Sequence, residues 1–161
     1  MPTENDARRI VERVTGVTVI RVRRFPTGLC HYVYEVELQS GEFLVARLAT
    51  PETRARLAGG VYWHERLCVL GVPLAPQRQG DLGSAPPFVI LDRLPGEDLG
   101  NVYTALTARE KRSIAAAVVE AQLRVARLPE AHGFGHALSF ADPILRRQTS
   151  WRLVIEFVCG D

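Results

Sequence analysis

The sequence predicts an α+β fold, and three observations carry that prediction. Tyr32 to Leu38 alternates cleanly: Tyr32, Tyr34, Val36 and Leu38 point one way, and Val33, Glu35 and Glu37 the other. That period of two is the mark of a strand with one buried face. Only Gln39, Ser40 and Gly41 separate it from a second strand-like run, Glu42 to Ala49. So short a connection makes an antiparallel hairpin. Finally, the elements read strand, strand, strand, helix, strand, strand, and then only helices. Strands grouped ahead of helices predict an antiparallel sheet with one inserted helix, followed by a helical region.

Each element has its own signal. Ala7, Ile10, Val11 and Val14 recur at helical spacing, and Gly16 follows. A short amphipathic helix over 6–14 is predicted, stopped at that glycine. "VTVIRVRRF" is rich in β-branched residues and ends at Pro26, so it reads as the first strand. The alternating runs on either side of Ser40-Gly41 are the second and third. Residues 50–71 predict a helix with Thr50 as N-cap, Pro51 in the first turn and Gly71 at the end. Gly59-Gly60 should bend or split it. "VPLAPQRQGDLGSAPP" is rich in Pro and Gly and should hold only short strand pieces, whereas "FVILD" is an apolar run of strand length. "RLPGEDLG" reads as a loop. "TARE" is a capping box, Thr107 to Glu110, opening a helix to about Leu128 that Pro129 stops. Loop follows, and "RRQTSWRLVIEFV" is helix-like.

Bulk composition excludes several function classes. The 161 residues amount to about one domain, with 47% apolar and 24% charged residues, as in an ordinary globular protein. A net charge of +2 is too small to argue for nucleic-acid or membrane partners. The arginines at 8, 9, 13, 21, 23 and 24 read as a solvated helix face and an edge strand. No apolar run reaches membrane-spanning length, and "MPTENDARRI" lacks an apolar signal core, so a cytoplasmic protein is expected. Cys30, Cys68 and Cys159 show neither CxxC nor zinc spacing and read as reduced, partly buried thiols.

Four features bear on chemistry. Arg47 shares its strand face with Phe43 and Val45. It is either an aliphatic stem laid along a solvated sheet or a cation set to meet a polyanion or carboxylate. Glu65 falls among Val61, Tyr62, Cys68 and Val69 on its helix. A carboxylate on an apolar stripe calls for a partner, and Arg47 is a candidate. The turn at Gly28 is either a plain hairpin loop or a place where backbone N–H groups approach a phosphate. "FVILDRLPGEDL" is either a sheet exit or an edge offering backbone groups to a planar ligand.

In this order, Val17 to Leu99 resembles the N-terminal lobe of the kinase-like phosphotransferases of the aminoglycoside phosphotransferase family. "TGLCHYVYEV" is similar to the family's phosphate-covering turn, "FLVARLA" to its third-strand cation, "WHERLCVLGVPLAP" to its helix glutamate and "FVILDRLPGEDL" to its hinge. The resemblance implies a protein-kinase-like N-lobe, a five-stranded antiparallel sheet plus one main helix, over 1–95. It implies a hinge exit and the first helices of an incomplete helical C-lobe over 96–161. It implies ATP as cofactor. Arg47 would meet the α- and β-phosphates and be oriented by Glu65. Gly28 would lie in the covering turn. Val33 and Val45 would cover one face of the adenine, Leu91 would be the gate, and the Asp92 carbonyl and Leu94 N–H would meet the adenine edge. "AVVEAQLRVARLP" is similar to the helix after the hinge, and "SWRLVIEF" to the start of the acceptor-binding insert.

The family's acceptor base and Mg²⁺ ligands come from a His-Gly-Asp loop with a nearby asparagine and from a second aspartate. After Asp98 the only aspartates here are Asp142, with no following asparagine, and Asp161, the last residue. His132 and His136 read as loop histidines. No catalytic and no metal-binding residue is therefore assigned, and Mg²⁺ is expected only with the missing C-lobe. The expectation is an incomplete small-molecule O-phosphotransferase that binds nucleotide, does not turn over alone and self-associates through an exposed lobe interface. A full-length relative would take a small-molecule hydroxyl acceptor. Two alternatives stay open: a non-catalytic nucleotide-binding or interaction module of the same fold, and an unrelated α+β structural domain.

Overall fold

A computed structural model describes residues 1–26, 31–130 and 137–139. The chain forms two compact units, Met1–Ala58 with Ala75–Gly96, and Gly59–Leu74 with Glu97–Asp161.

The first unit begins with helix α1 (Glu4–Thr15). It starts earlier than apolar spacing alone predicts because Thr3 and Asp6 form a reciprocal capping box. The Asp6 N–H donates to Thr3 Oγ1 at 3.2 Å, and the Thr3 N–H donates to Asp6 Oδ2 at 2.9 Å. Gly16 ends the helix at φ 69°, where its N–H donates to the Glu12 carbonyl. This is the left-handed cap that glycine adopts without steric cost.

Five strands follow: β1 (Val19–Arg24), β2 (Tyr32–Leu38), β3 (Phe43–Leu48), β4 (Gln77–Asp81) and β5 (Phe88–Asp92). They form one antiparallel sheet in the order β1-β2-β3-β5-β4. With its helices this is the α+β architecture expected, that of a kinase-like N-terminal lobe. One face of the sheet buries Tyr34, Val36, Leu38, Leu44, Ala46, Leu48, Phe88 and Ile90 in a core shared with Ala7, Ile10 and Val11 of α1. The Tyr34 hydroxyl, the one polar tip among these side chains, donates to the Pro2 carbonyl at 2.8 Å. At the β2–β3 turn, Gly41 adopts φ 84°.

After β3 the expected helix start is instead a 3₁₀ turn, Pro51–Thr53, with Thr50 at its cap. The Thr50 N–H donates to Thr53 Oγ1 at 3.0 Å, so the Thr side chains satisfy groups that an α-helix would have engaged further along. Helix α2 (Arg54–Val69) then runs unbroken through Gly59-Gly60, against the expected split. A helical glycine costs only about 1 kcal/mol relative to alanine, too little to break a sixteen-residue helix. Gly59 also answers a packing need: a Cβ there would lie 3.0 Å from Leu138 Cα.

In the second unit, part of the expected loop after β5 is a short helix, α3 (Leu99–Val102), because the Asp98 side chain accepts from the Gly100 N–H at 2.7 Å. Helix α4 (Ala108–Val125) starts at the expected capping box. The Glu110 N–H donates to Thr107 Oγ1 at 3.3 Å, and the Thr107 N–H to Glu110 Oε2 at 2.8 Å. Cys68 is a free, exposed thiol rather than a partly buried one. Cys30, Cys159 and the "SWRLVIEF" segment lie outside the described residues. Among the described residues, no helix is long and apolar enough to cross a membrane.

Candidate functional site

The face of the sheet opposite the core carries the chemistry of the first unit. Strand register makes it a grid. Val33 pairs with Arg47, and Arg47 with Val89; Glu35 pairs with Val45, and Val45 with Leu91. Directly paired residues project to the same side within side-chain reach of one another. Val33, Val45 and Leu91 thus form an apolar strip, Leu91 being 7% exposed and the two valines partly buried. Arg47 stands beside Val33 with an exposed side chain and, within its own unit, no ion pair among the described residues. The arrangement offers a flat apolar surface next to an exposed guanidinium, chemistry suited to a planar ring carrying an anionic tail.

One end of this face is held by charge. Glu35 lies between Arg23 of β1 at 2.9 Å and Arg93 at 3.0 Å. Burial works against its charged form, but the hydrogen bond from Arg93 and the charge of Arg23 prevail and hold its carboxyl below the ordinary value. Arg93 also donates to the Leu94 carbonyl, and its backbone N–H reaches the Phe43 carbonyl at 3.3 Å. Asp92 is paired with Arg78, which also meets Glu42 at 2.7 Å. These groups border an open groove of about 530 Å³ lined by Glu35, Phe43, Arg78, Asp92, Arg93 and Leu94. The exit from β5 is therefore a pinned segment rather than a loose loop. Its Leu94 N–H has no acceptor among the described residues. Sequence reasoning singled out Asp92 and Leu94 for their backbone groups but did not foresee the ion pairs of Asp92 and Arg93 beside them. Alternation already put Glu35 on this face; its arginine partners emerge only with the strand register.

At the other end, His31 precedes β2, and its Nε2 is buried without a hydrogen-bond partner among the described residues. Burial, the charge of Arg47 and the charge of Arg56 push the ring below its ordinary value, while the Thr53 backbone favours the charged form.

Glu65 belongs to the second unit and Arg47 to the first. Glu65 is exposed on α2, as are Cys68 and Val69, so burial does not by itself demand a counter-ion for it. Within the second unit, the Arg66 guanidinium stacks over the Tyr62 ring at 3.4 Å. The Trp63 indole N–H donates to the Ala137 carbonyl at 2.7 Å. Gly28, His132, His136, Asp142 and Asp161 lie outside the described residues. Among the described residues, no group of three His, Cys, Asp or Glu side chains could hold a metal ion.

The model of the phosphotransferase enzyme family, APH, matches residues 21–156, from within β1 through the other four strands and α4. No curated protein and no solved structure matches the chain. The family match covers most of the sequence, and it embraces the sheet face on which an apolar strip adjoins Arg47. The chain belongs to the APH phosphotransferase enzyme family.

Proposed function

We propose that this chain is the nucleotide-binding part of an ATP-dependent small-molecule O-phosphotransferase. The observation that carries the reading is the strip Val33–Val45–Leu91 ending beside the exposed Arg47. An adenine would lie against Val33 and Val45 with Leu91 behind it. Its edge would meet the Asp92 carbonyl and the open Leu94 N–H. Arg47 would grip the α- and β-phosphates as a two-pronged donor rather than a point charge, with Glu65 orienting it and the turn at Gly28 covering the phosphates. Residues 1–95 would be the nucleotide lobe, and 96–161 the hinge exit and the start of the helical lobe that receives a hydroxyl acceptor. ATP dependence favours a cytoplasmic protein.

Family members typically use Mg²⁺ with ATP, and the described residues supply no cluster fit to hold it. The 161 residues also contain no His-Gly-Asp loop with a following asparagine. The roles proposed for these residues are therefore in nucleotide binding, and none of them is assigned to the transfer step. Self-association through exposed apolar residues of α4 belongs to the same proposal.

Calorimetric titration with ATP tests the reading. Binding to the wild-type chain and a loss of at least about tenfold in affinity for Arg47→Ala are expected, since a charge-assisted contact contributes about 1.5–3 kcal/mol. No ATP binding by the wild type overturns the reading. Robust acceptor phosphorylation by these 161 residues, abolished in Arg47→Ala, would instead overturn the restriction to binding.

A further inference from the structure

Arg93 follows β5 directly, between Asp92 and Leu94, the two residues whose backbone groups the nucleotide reading uses. Its three side-chain nitrogens go to three different places. Nε donates to Glu35 Oε1 at 3.0 Å, Nη1 donates to the Leu94 carbonyl, and Nη2 reaches the Gly96 carbonyl at 3.5 Å. The guanidinium thus folds back onto its own segment and ties it, on either side of Pro95, to β2. The Arg93 backbone N–H fastens the same segment to β3 through the Phe43 carbonyl.

Glu35 is the anchor. Arg23 of β1 holds its second oxygen, Oε2, at 2.9 Å, and the Glu35 side chain is only 12% exposed. All of these residues lie in the first unit. Such an arrangement supplies position more than stability. Ion pairs open to water add little stability, and both arginines remain partly or largely exposed. A planar fork with all three nitrogens engaged, by contrast, leaves the segment few orientations. Gly96 completes its shape at φ 109°, a conformation that glycine adopts without steric cost.

We propose that Glu35 and Arg93 are positioning residues that fix the segment after β5 so that it accepts adenine and rejects guanine. The inference rests on the nucleotide reading, in which the Asp92 carbonyl and the Leu94 N–H meet the edge of the base. A carbonyl and an N–H at set positions match the amino donor and ring-nitrogen acceptor of adenine. Guanine presents a carbonyl oxygen and a ring N–H instead, so acceptor would meet acceptor and donor would meet donor. A loose segment could re-aim its backbone groups to suit either base, and a clamped one cannot. Both residues act through the backbone, and neither needs to touch the nucleotide.

The test is calorimetric titration of the full chain with ATP, GTP, adenosine and inorganic tripolyphosphate, alongside amide hydrogen exchange. The wild type should prefer ATP to GTP by at least about tenfold, the cost of leaving hydrogen-bonding groups mismatched. In Glu35→Gln, ATP and adenosine should weaken alike, by about tenfold, with tripolyphosphate unchanged and the preference for ATP over GTP narrowed. The Arg93 amide should exchange at least about tenfold faster, while that of Ile90 within β5 keeps its wild-type rate. Arg93→Lys keeps a charge for Glu35 but lacks the fork. It should lose the ATP preference as well, whereas lysine would rescue a plain ion pair; it also decides the matter if Glu35→Gln fails to fold. Equal acceleration of both amides would mark a general loss of stability and overturn the positioning role. A preference for ATP that both variants retain overturns the proposal and leaves the nucleotide reading standing, as does equal binding of ATP and GTP by the wild type. If the wild type binds neither ATP nor adenosine, the nucleotide reading falls and base selection falls with it.

Discussion

The buried hydrophobic residues of the described chain, from Ala7 to Leu91, all belong to the first unit, whereas the longest described helix of the second, α4, buries none of its side chains. In the first unit, strands and α1 are held by tertiary packing of Tyr34, Leu48, Phe88 and their neighbours. In the second, α4 has its capping box, the Glu120–Arg124 pair one turn apart, and a hydrogen bond from Arg124 to the Gly71 carbonyl. Val118, Val119 and Leu123 of α4 are 51%, 52% and 64% exposed, so its apolar residues contribute little to a core among the described residues. Most helices in proteins depend on packing an apolar face more than on propensity. The contrast is that the first unit packs a core of its own, whereas the described residues of the second leave apolar side chains of α4 exposed.

The largest effect should come from the core. Phe88 is 1% exposed, and the Arg13 guanidinium lies 5.6 Å from its ring centroid. Phe88→Ala removes a large buried side chain and leaves a cavity, so a loss of about 3–5 kcal/mol is expected in urea unfolding followed by circular dichroism. A loss below about 1 kcal/mol would mean that the first unit is not the stable one, and the comparison would break.

That core was legible in the sequence because a strand has only two faces. The alternation from Tyr32 to Leu38 needed only one correct phase to identify Tyr34, Val36 and Leu38 as buried. The face of Arg47 followed in the same way. What alternation cannot supply is which strand lies beside which. Glu35 and Arg93 are 58 residues apart, and their pairing depends on β2, β3 and β5 lying in the order found. For Glu65 it is the burial argument alone that does not hold, for a different reason. Helical spacing gave it apolar neighbours, but Cys68 and Val69 are themselves exposed, so the stripe is not buried. An apolar stripe identifies a face, not what covers it.

The adjacent glycines of α2 offer a finer probe, since one is packed and the other is not. A Cβ on Gly59 would lie 2.9 Å from Leu138 Cδ2 and 3.0 Å from its Cα, and backbone yields less readily than a side-chain tip. Gly59→Ala should therefore destabilise by about 1–3 kcal/mol, as overpacking does. A Cβ on Gly60 meets nothing within 4 Å. Gly60→Ala should stabilise by about 0.5–1 kcal/mol through helix propensity alone. Opposite signs in parallel thermal melts would show that the second unit has at least one close-packed point, at Leu138. Equal stabilisation by both would remove that point.

The smallest effect on stability should come from α4, and there it is the other readout that matters. Val119 and Leu123 are one turn apart on the same helix face, both more than half exposed. Replacing both with Gln costs little helix propensity, and exposed positions usually change stability by no more than about 0.5 kcal/mol. Unfolding of the double variant should therefore match wild type closely. Its light scattering should not: contiguous exposed apolar surface promotes association, so the wild-type chain should gain apparent mass as concentration rises and the double variant should not. A wild-type chain that stays monomeric at high concentration would count against self-association through this face. A large drop in stability from the same pair would show that α4 is packed after all, and the contrast between the units would then be one of degree. Unchanged stability with lost association would locate the sticky surface on the helix, leaving the sheet face and its Arg47 free for the nucleotide.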